Sequence, residues 1–219
     1  MKKLFVPIVA VATMLAFTSC GDDQTAPEIT LPTEGIVINL GDEEAALKGV
    51  TAKDDKDGDV TNALRVEGLD WVGAGELVYL VKDKANNEAS LKRTNATVRS
   101  EKLKGTYVVD ERGPSFLTGQ DTTMTYNVAV DEDRDSHTQI VISNFFDAYT
   151  AKFAGNGKST TLAMIPLEID LNADNVTDMT ITGSAAYTKS GANYKLSTCD
   201  FVTTYATSGK VETFRITFR

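Results

Sequence analysis

Oxygen donors recur at alternate positions in Asp170, Asn172 and Asp174, and Asp178 follows four residues later. In a curled loop this spacing offers a hard cation side-chain oxygens at positions one, three and five, a carboxylate at nine and the free carbonyl of Val176 at seven. Ca²⁺ collects its roughly six to eight oxygens in this way. The pattern stops short of an EF-hand, because Asn175 stands where glycine makes the turn and Ile181 stands where a glutamate closes the site. The competing reading is a polar hairpin turn in which short Asp and Asn side chains bond their own backbone. A second acidic run, Asp54, Asp55, Asp57 and Asp59, fails the same template, with Lys53 as its first ligand and Leu64 as its twelfth. It is predicted to cap a turn around Gly58, with a bound metal as the less favoured alternative. Possible Ca²⁺, foremost at the first loop, is thus the only cofactor the sequence suggests.

Hydrolysis needs paired carboxylates, or a nucleophile beside a base. Glu168 and Asp170, two apart on a strand, would stand about 6.6 Å apart on one face, a spacing that suits an inverting glycosidase. Alternation, however, turns Leu167, Ile169 and Leu171 inward and leaves the two acids in water. His137 is the only histidine. It directly follows Asp135 and Ser136, and neighbours on an extended chain point to opposite faces, so the three form no local triad. A zinc centre built on several histidines is excluded by count, and no phosphate-cradling glycine loop, CxxC or dinucleotide fingerprint occurs. The sequence therefore predicts no enzyme and no catalytic residue. Trp71, the single tryptophan, would serve as a sugar-stacking platform if exposed, but it is expected inward beside Leu69. Tyr187, Tyr194 and Tyr205 are further candidates to line a groove.

The thiol of Cys20 carries the other recognisable chemistry. Met1, Lys2 and Lys3 precede an apolar run, residues 4–17, broken only by Thr13, and small residues then lead to Cys20. This is the pattern of a secretory signal, and the run is shorter than the roughly 20 residues a spanning helix needs. Phe17, Thr18, Ser19 and Cys20 resemble the lipobox of bacterial lipoproteins, with Phe17 where leucine is commoner. The resemblance implies that Cys20 is acylated (palmitate or a similar chain) and begins the mature chain. Asp22 and Asp23 resemble the export signal that sends lipoproteins of Bacteroidota-type bacteria to the outer face of the outer membrane. Removal of Lys2 and Lys3 with the signal takes the formal charge from −9 to −11. That balance argues against nucleic acid and against adsorption to anionic lipid, leaving the acyl chains as the membrane tie. With Cys20 modified, Cys199 has no partner and is read as a small core residue.

The elements that must position these residues are strands. About 200 residues after cleavage suit two domains of about 100 or one large β domain, and a hydrophobic fraction of 42% supports folded cores. Residues 1–19 are read as the signal peptide, 20–26 as a flexible tether, 27–100 as one β domain and 101–219 as a second. Short apolar runs at 36–40 and 77–81 are β-branched and punctuated by glycine. Met124, Tyr126, Val128 and Val130 alternate with polar residues, as do Phe214, Ile216 and Phe218, which is the period of a strand with one face in a core. Residues 43–48 show a helical period too short for more than a turn. Seven or eight strands from 105 onward suit a closed barrel or a sandwich.

Three motifs carry a further resemblance: the proline-led start Ala26, Pro27, Glu28, Ile29; the run Asp57, Gly58, Asp59, Val60, Thr61; and the hairpin from Gly75 to Ala89 containing Tyr79, Asp83, Asn86 and Asn87. They resemble the bacterial immunoglobulin-like module first noted in a pesticidal crystal protein. Leu77 replaces an aromatic residue of that family, and Asn86 replaces a glycine, a change the turn tolerates because asparagine visits the left-handed region. The resemblance implies a β-sandwich spacer or binding module. The fold class expected is all-β: an immunoglobulin-like sandwich followed by a second sandwich or a lipocalin-like barrel. The function expected is a non-catalytic, lipid-anchored cell-surface protein that binds an extracellular glycan or glycoprotein. The alternatives are an adhesion partner of another outer-membrane protein and a carrier of a small apolar ligand.

Overall fold

A computed structural model describes residues 23–115, 118–146 and 148–219. The signal segment and Cys20 lie outside the described residues. The first half of the chain forms β1 (Glu28–Thr30), β2 (Ile36–Asn39), α1 (Glu43–Leu47), β3 (Thr51–Asp54), β4 (Gly58–Asp59), β5 (Arg65–Glu67), β6 (Gly73–Lys82) and β7 (Glu88–Arg99). Two sheets result, one ordered β1-β3-β4 and one ordered β2-β7-β6-β5. Ile29 and Ala52 from the first sheet and Ile38, Tyr79, Val81 and Val98 from the second are buried in the hydrophobic core. The run at 43–48 makes a single helical turn. It starts because the Asp42 carboxylate accepts the Ala45 amide at 3.1 Å, and the buried Tyr79 hydroxyl donates to the Ala46 carbonyl at 2.9 Å.

The second half forms β8 (Gly105–Pro114), β9 (Asp121–Glu132), β10 (Gln139–Phe145), β11 (Tyr149–Gly155), β12 (Thr161–Met164), β13 (Leu167–Ile169), β14 (Met179–Ser190), β15 (Asn193–Tyr205) and β16 (Val211–Phe218). From β8 to β12 and again from β13 to β16 each strand pairs antiparallel with the next, and β16 returns to pair with β8, so the meander begins and ends side by side. β12 and β13 both pair with β14, through Leu162 opposite Ala185 and Glu168 opposite Thr180. They are two halves of one strand broken at Ile165 and Pro166, because proline has no N–H for the ladder. Counting them as one, the sheet closes into an eight-stranded barrel. Of the two architectures the sequence allowed for this half, the barrel forms, and the chain is all-β.

Alternation fills the interior. Val109, Val130, Ile140, Ile142, Phe145, Phe153, Leu162, Ile181, Phe201 and Ile216 are buried, and Phe145, Phe146, Phe201 and Phe214 meet ring to ring at centroid distances of 4.9–5.5 Å. An eight-stranded barrel is just wide enough for such side chains. The space that the apolar-carrier reading required is occupied by the protein's own core. Cys199 belongs to that core at 0% exposure, as expected, and burial pushes its thiol pKa up.

Two strands depart from the expected pattern. The first residues of β9 are exposed, Met124 at 49%, because the strand outruns the packed layer and buries its alternating face only from Tyr126 onward. Leu171, expected inward, is 59% exposed because β13 ends at Ile169 and the chain curls away.

Candidate functional site

The two bodies meet around the turn that joins β5 to β6. Leu69 and Val72 point into the core, at 8% and 0% exposure, whereas Trp71 between them is 38% exposed. The expectation that Trp71 lies inward beside Leu69 assumed a strand, in which alternate residues share a face. Residues 69–72 form a turn instead, bracketed by Gly68 at φ 93° and Gly73 at φ 136°, and strand parity does not apply.

The barrel holds this turn rigidly. Val72 donates its amide to the Tyr187 hydroxyl at 3.0 Å and accepts from the Gly157 amide at 2.8 Å. Tyr187 also donates to the Asp70 carbonyl at 2.8 Å, and the Gly41 amide donates to the Leu69 carbonyl at 2.9 Å. The Asp70 carboxylate takes Lys189 Nζ at 2.8 and 3.0 Å and the Tyr194 hydroxyl on one of the same oxygens. Glycines make the approach feasible: a Cβ on Gly73 would lie 2.3 Å from the Gly157 nitrogen, and one on Gly157 would lie 2.4 Å from the Ala74 carbonyl oxygen. A few residues away, Arg99 forks onto Glu132 at 2.6 and 3.2 Å, and the Ser100 hydroxyl donates to the Gln139 carbonyl at 2.8 Å. Tyr187 and Tyr194, candidates for an open groove, are buried at this joint instead.

Burial acts to raise the Asp70 carboxyl pKa, but hydrogen bonds from Lys189 and Tyr194 outweigh it, and the group sits below its ordinary value. Glu132 behaves alike: burial raises it, while Arg99 and His137 lower it further. Burial pushes the Tyr187 hydroxyl up to about 12, so it keeps its proton, and its role as donor to Asp70, across ordinary pH.

Trp71 stands between two grooves. One, of about 380 Å³, is walled by Glu43, Glu67, Asp70 and Lys189; the other, of about 320 Å³, by Glu67, Glu76, Gly157 and Lys158. Larger clefts of about 680 Å³ near Arg112, Lys210 and Arg215 and about 640 Å³ near Arg65 and Lys82 have no exposed aromatic wall. An indole face flanked by carboxylates and ammonium groups can stack on the C–H face of a sugar ring while the charged groups bond its hydroxyls.

The other sequence candidates lie elsewhere. In the 170–178 loop the Asp170 carboxylate accepts amides from Asn172, Asp174 and Asn175 at 3.2, 3.3 and 2.7 Å, and Asp178 accepts the Leu171 amide at 2.8 Å. Asn175 sits at φ 65° where an EF-hand has glycine. Asp170, Asp174 and Asp178 do not together bring three carboxylate oxygens within 4.8 Å of one another. Glu168 faces outward on β13 as expected. His137 Nδ1 lies 2.7 Å from Glu132 Oε1 on an exposed surface. Asp54 caps the turn at Gly58 through the Lys56 and Asp57 amides, and Asn86 takes φ 71° in its hairpin. The barrel-side half of the platform's support was missed; only the tyrosines at the end of the β14–β15 hairpin hinted at it.

Fold and site together define a class: an all-β protein in which a closed barrel buttresses an aromatic turn on a smaller pair of sheets. Neither a scan of known protein families nor a search of curated proteins finds a match. Among solved structures the chain is similar to a lipoprotein from Bacteroides thetaiotaomicron, at 17% identity and a TM-score of 0.33, over 88% of this chain and 100% of that one. It is also similar to a Clostridium perfringens structure of the carbohydrate-binding module CBM51-2 in complex with GlcNAc and INT domains, at 13% identity and a TM-score of 0.24, over 88% of this chain and 43% of that one. The chain thus spans less than half the length of the second structure. No helix among the described residues is long and apolar enough to cross a membrane.

Proposed function

We propose that this chain is a non-catalytic, lipid-anchored protein of the outer membrane that binds an extracellular glycan at the Trp71 turn. The observation that carries the reading is the placement of Trp71: a large aromatic side chain 38% exposed, on a turn bonded from both bodies and bordered by carboxylates and lysines. A platform held this way loses little freedom on binding, so more of the contact energy reaches affinity. The anchor at Cys20, followed by Asp22 and Asp23, is the sequence support for the cell-surface location.

Affinity electrophoresis of the full chain in detergent against a panel of polysaccharides tests the reading. At least one polysaccharide is expected to retard the protein, and Trp71→Ala should weaken that retention about tenfold, a loss of about 1.4 kcal/mol, in a variant whose fold is checked by circular dichroism. Retardation by none of the panel, or retention unaffected by Trp71→Ala, overturns it. A dominant protein adduct on crosslinking in the native membrane, without glycan retention, would point to an adhesion partner instead.

A further inference from the structure

Where the leading segment meets the first pair of sheets, Asp23, Asp54 and Asp55 bring one carboxylate oxygen each within 4.8 Å of one another. Asp54 is only 8% exposed. Its Oδ2 accepts the Lys56 amide at 2.8 Å and the Asp57 amide at 2.9 Å, whereas its Oδ1 is enclosed with no hydrogen-bond partner. An enclosed carboxylate oxygen without a donor is costly, because water has been removed and nothing replaces it. Lys56 Nζ lies 3.8 Å from Asp23 Oδ1, with its side chain 48% exposed. The segment is not loose at this point, since Asn87 Nδ2 donates to the Asp23 carbonyl at 3.0 Å and Asp23 Oδ1 accepts the Thr25 amide at 3.1 Å. Of the residues expected to form the tether, Asp23 is thus bonded to the fold through Asn87.

We propose that Asp23, Asp54 and Asp55 hold a divalent cation of the calcium type. All three donors are hard oxygens, and among the described residues no histidine or cysteine joins them, so the chemistry favours Ca²⁺ over zinc; Asp55 is exposed, which leaves room for the several waters such an ion keeps. The ion supplies a partner for Asp54, whose Oδ1 has no hydrogen bond. It also clamps the leading segment onto the β3–β4 hairpin. On the lipid-anchor reading, which the cation site does not need, the clamp lies three residues from Cys20 and holds the fold within about 10 Å of the acyl chains.

Thermal melting of the full chain, stripped with chelator and then titrated with calcium chloride, tests the site. Saturating calcium is expected to raise Tm by about 5 °C, as a ligand held only by the folded state does, and sodium chloride of equal ionic strength should not reproduce the rise. Asp55→Asn, at an exposed position that leaves folding intact, and Asp54→Asn should each abolish most of the shift. No rise in the parent, a rise matched by sodium chloride, or a rise that both variants leave whole overturns the proposal. So does a rise lost in Asp174→Asn and retained in Asp55→Asn, which would place the ion in the 170–178 loop.

Discussion

Tyr187 is the residue through which the barrel grips the Trp71 turn. One hydroxyl both donates to the Asp70 carbonyl and accepts the Val72 amide, at 2.8 and 3.0 Å. Tyr187→Phe keeps the ring and its packing but leaves a buried N–H and a carbonyl without their partner, which costs about 1–3 kcal/mol. For a chain of this size Tm should fall by roughly 2–4 °C per kcal/mol, measured by calorimetry. A Tm equal to the parent's would mean that water fills the gap and that the hydroxyl is dispensable. If the turn is the glycan platform, the same variant should also weaken retention although residue 187 lies behind the indole, because the platform is then held less firmly. None of this was legible in the sequence. Trp71 and Tyr187 were each visible as candidates, but their meeting depends on a contact across 115 residues of chain, which no local period encodes.

Among the elements, the glycine seam separates two effects that a sequence reading merges. Gly58 and Gly157 both adopt positive φ, 75° and 68°, and both read alike as punctuation. A Cβ on Gly58 meets nothing within 4 Å, whereas one on Gly157 falls 2.4 Å from the Ala74 carbonyl oxygen. Gly58→Ala should therefore cost only the left-handed backbone penalty, about 1–2 kcal/mol. Gly157→Ala should cost clearly more, because backbone of β6 has to move and the bond from Gly157 to Val72 is stretched. Urea midpoints of the two variants decide the matter, and equal shifts would show that the seam yields freely. Strand existence was readable here because alternation is local, as in Phe214, Ile216 and Phe218, all of which are buried. Strand ends were not, since Met124 and Leu171 keep the pattern after the packed layer has stopped. Closure of the barrel was not readable either, because it rests on β16 finding β8 about a hundred residues earlier.

At the scale of the whole molecule, the two bodies act as one because charged groups span their joint, and this gives the assembly a defined response to acid. Arg99 on β7 reaches Glu132 on β9, while Lys189 on β14 reaches Asp70 in the β5–β6 turn. Glu132 and Asp70 both lie below their ordinary values of 4.5 and 3.8 in the folded chain, despite the opposing effect of burial. A carboxylate whose folded pKa is depressed contributes stability that is complete above its unfolded pKa and is lost as pH falls through the folded value. The share of the joint's stability that these two carboxylates carry should thus be complete above about pH 5 and fall below about 4. Arg99→Met removes the cation from Glu132, so the folded pKa of that carboxyl rises toward its unfolded value; Tm near neutral pH should be lower than in the parent, and the share of the acid loss that Glu132 carries should shrink. Small-angle scattering across the same range should show the two bodies separating at the pH where Tm begins to fall. An acid profile left in place by Arg99→Met would mean that the joint is held by its glycine seam and tyrosine hydroxyls, with the ion pair adding nothing.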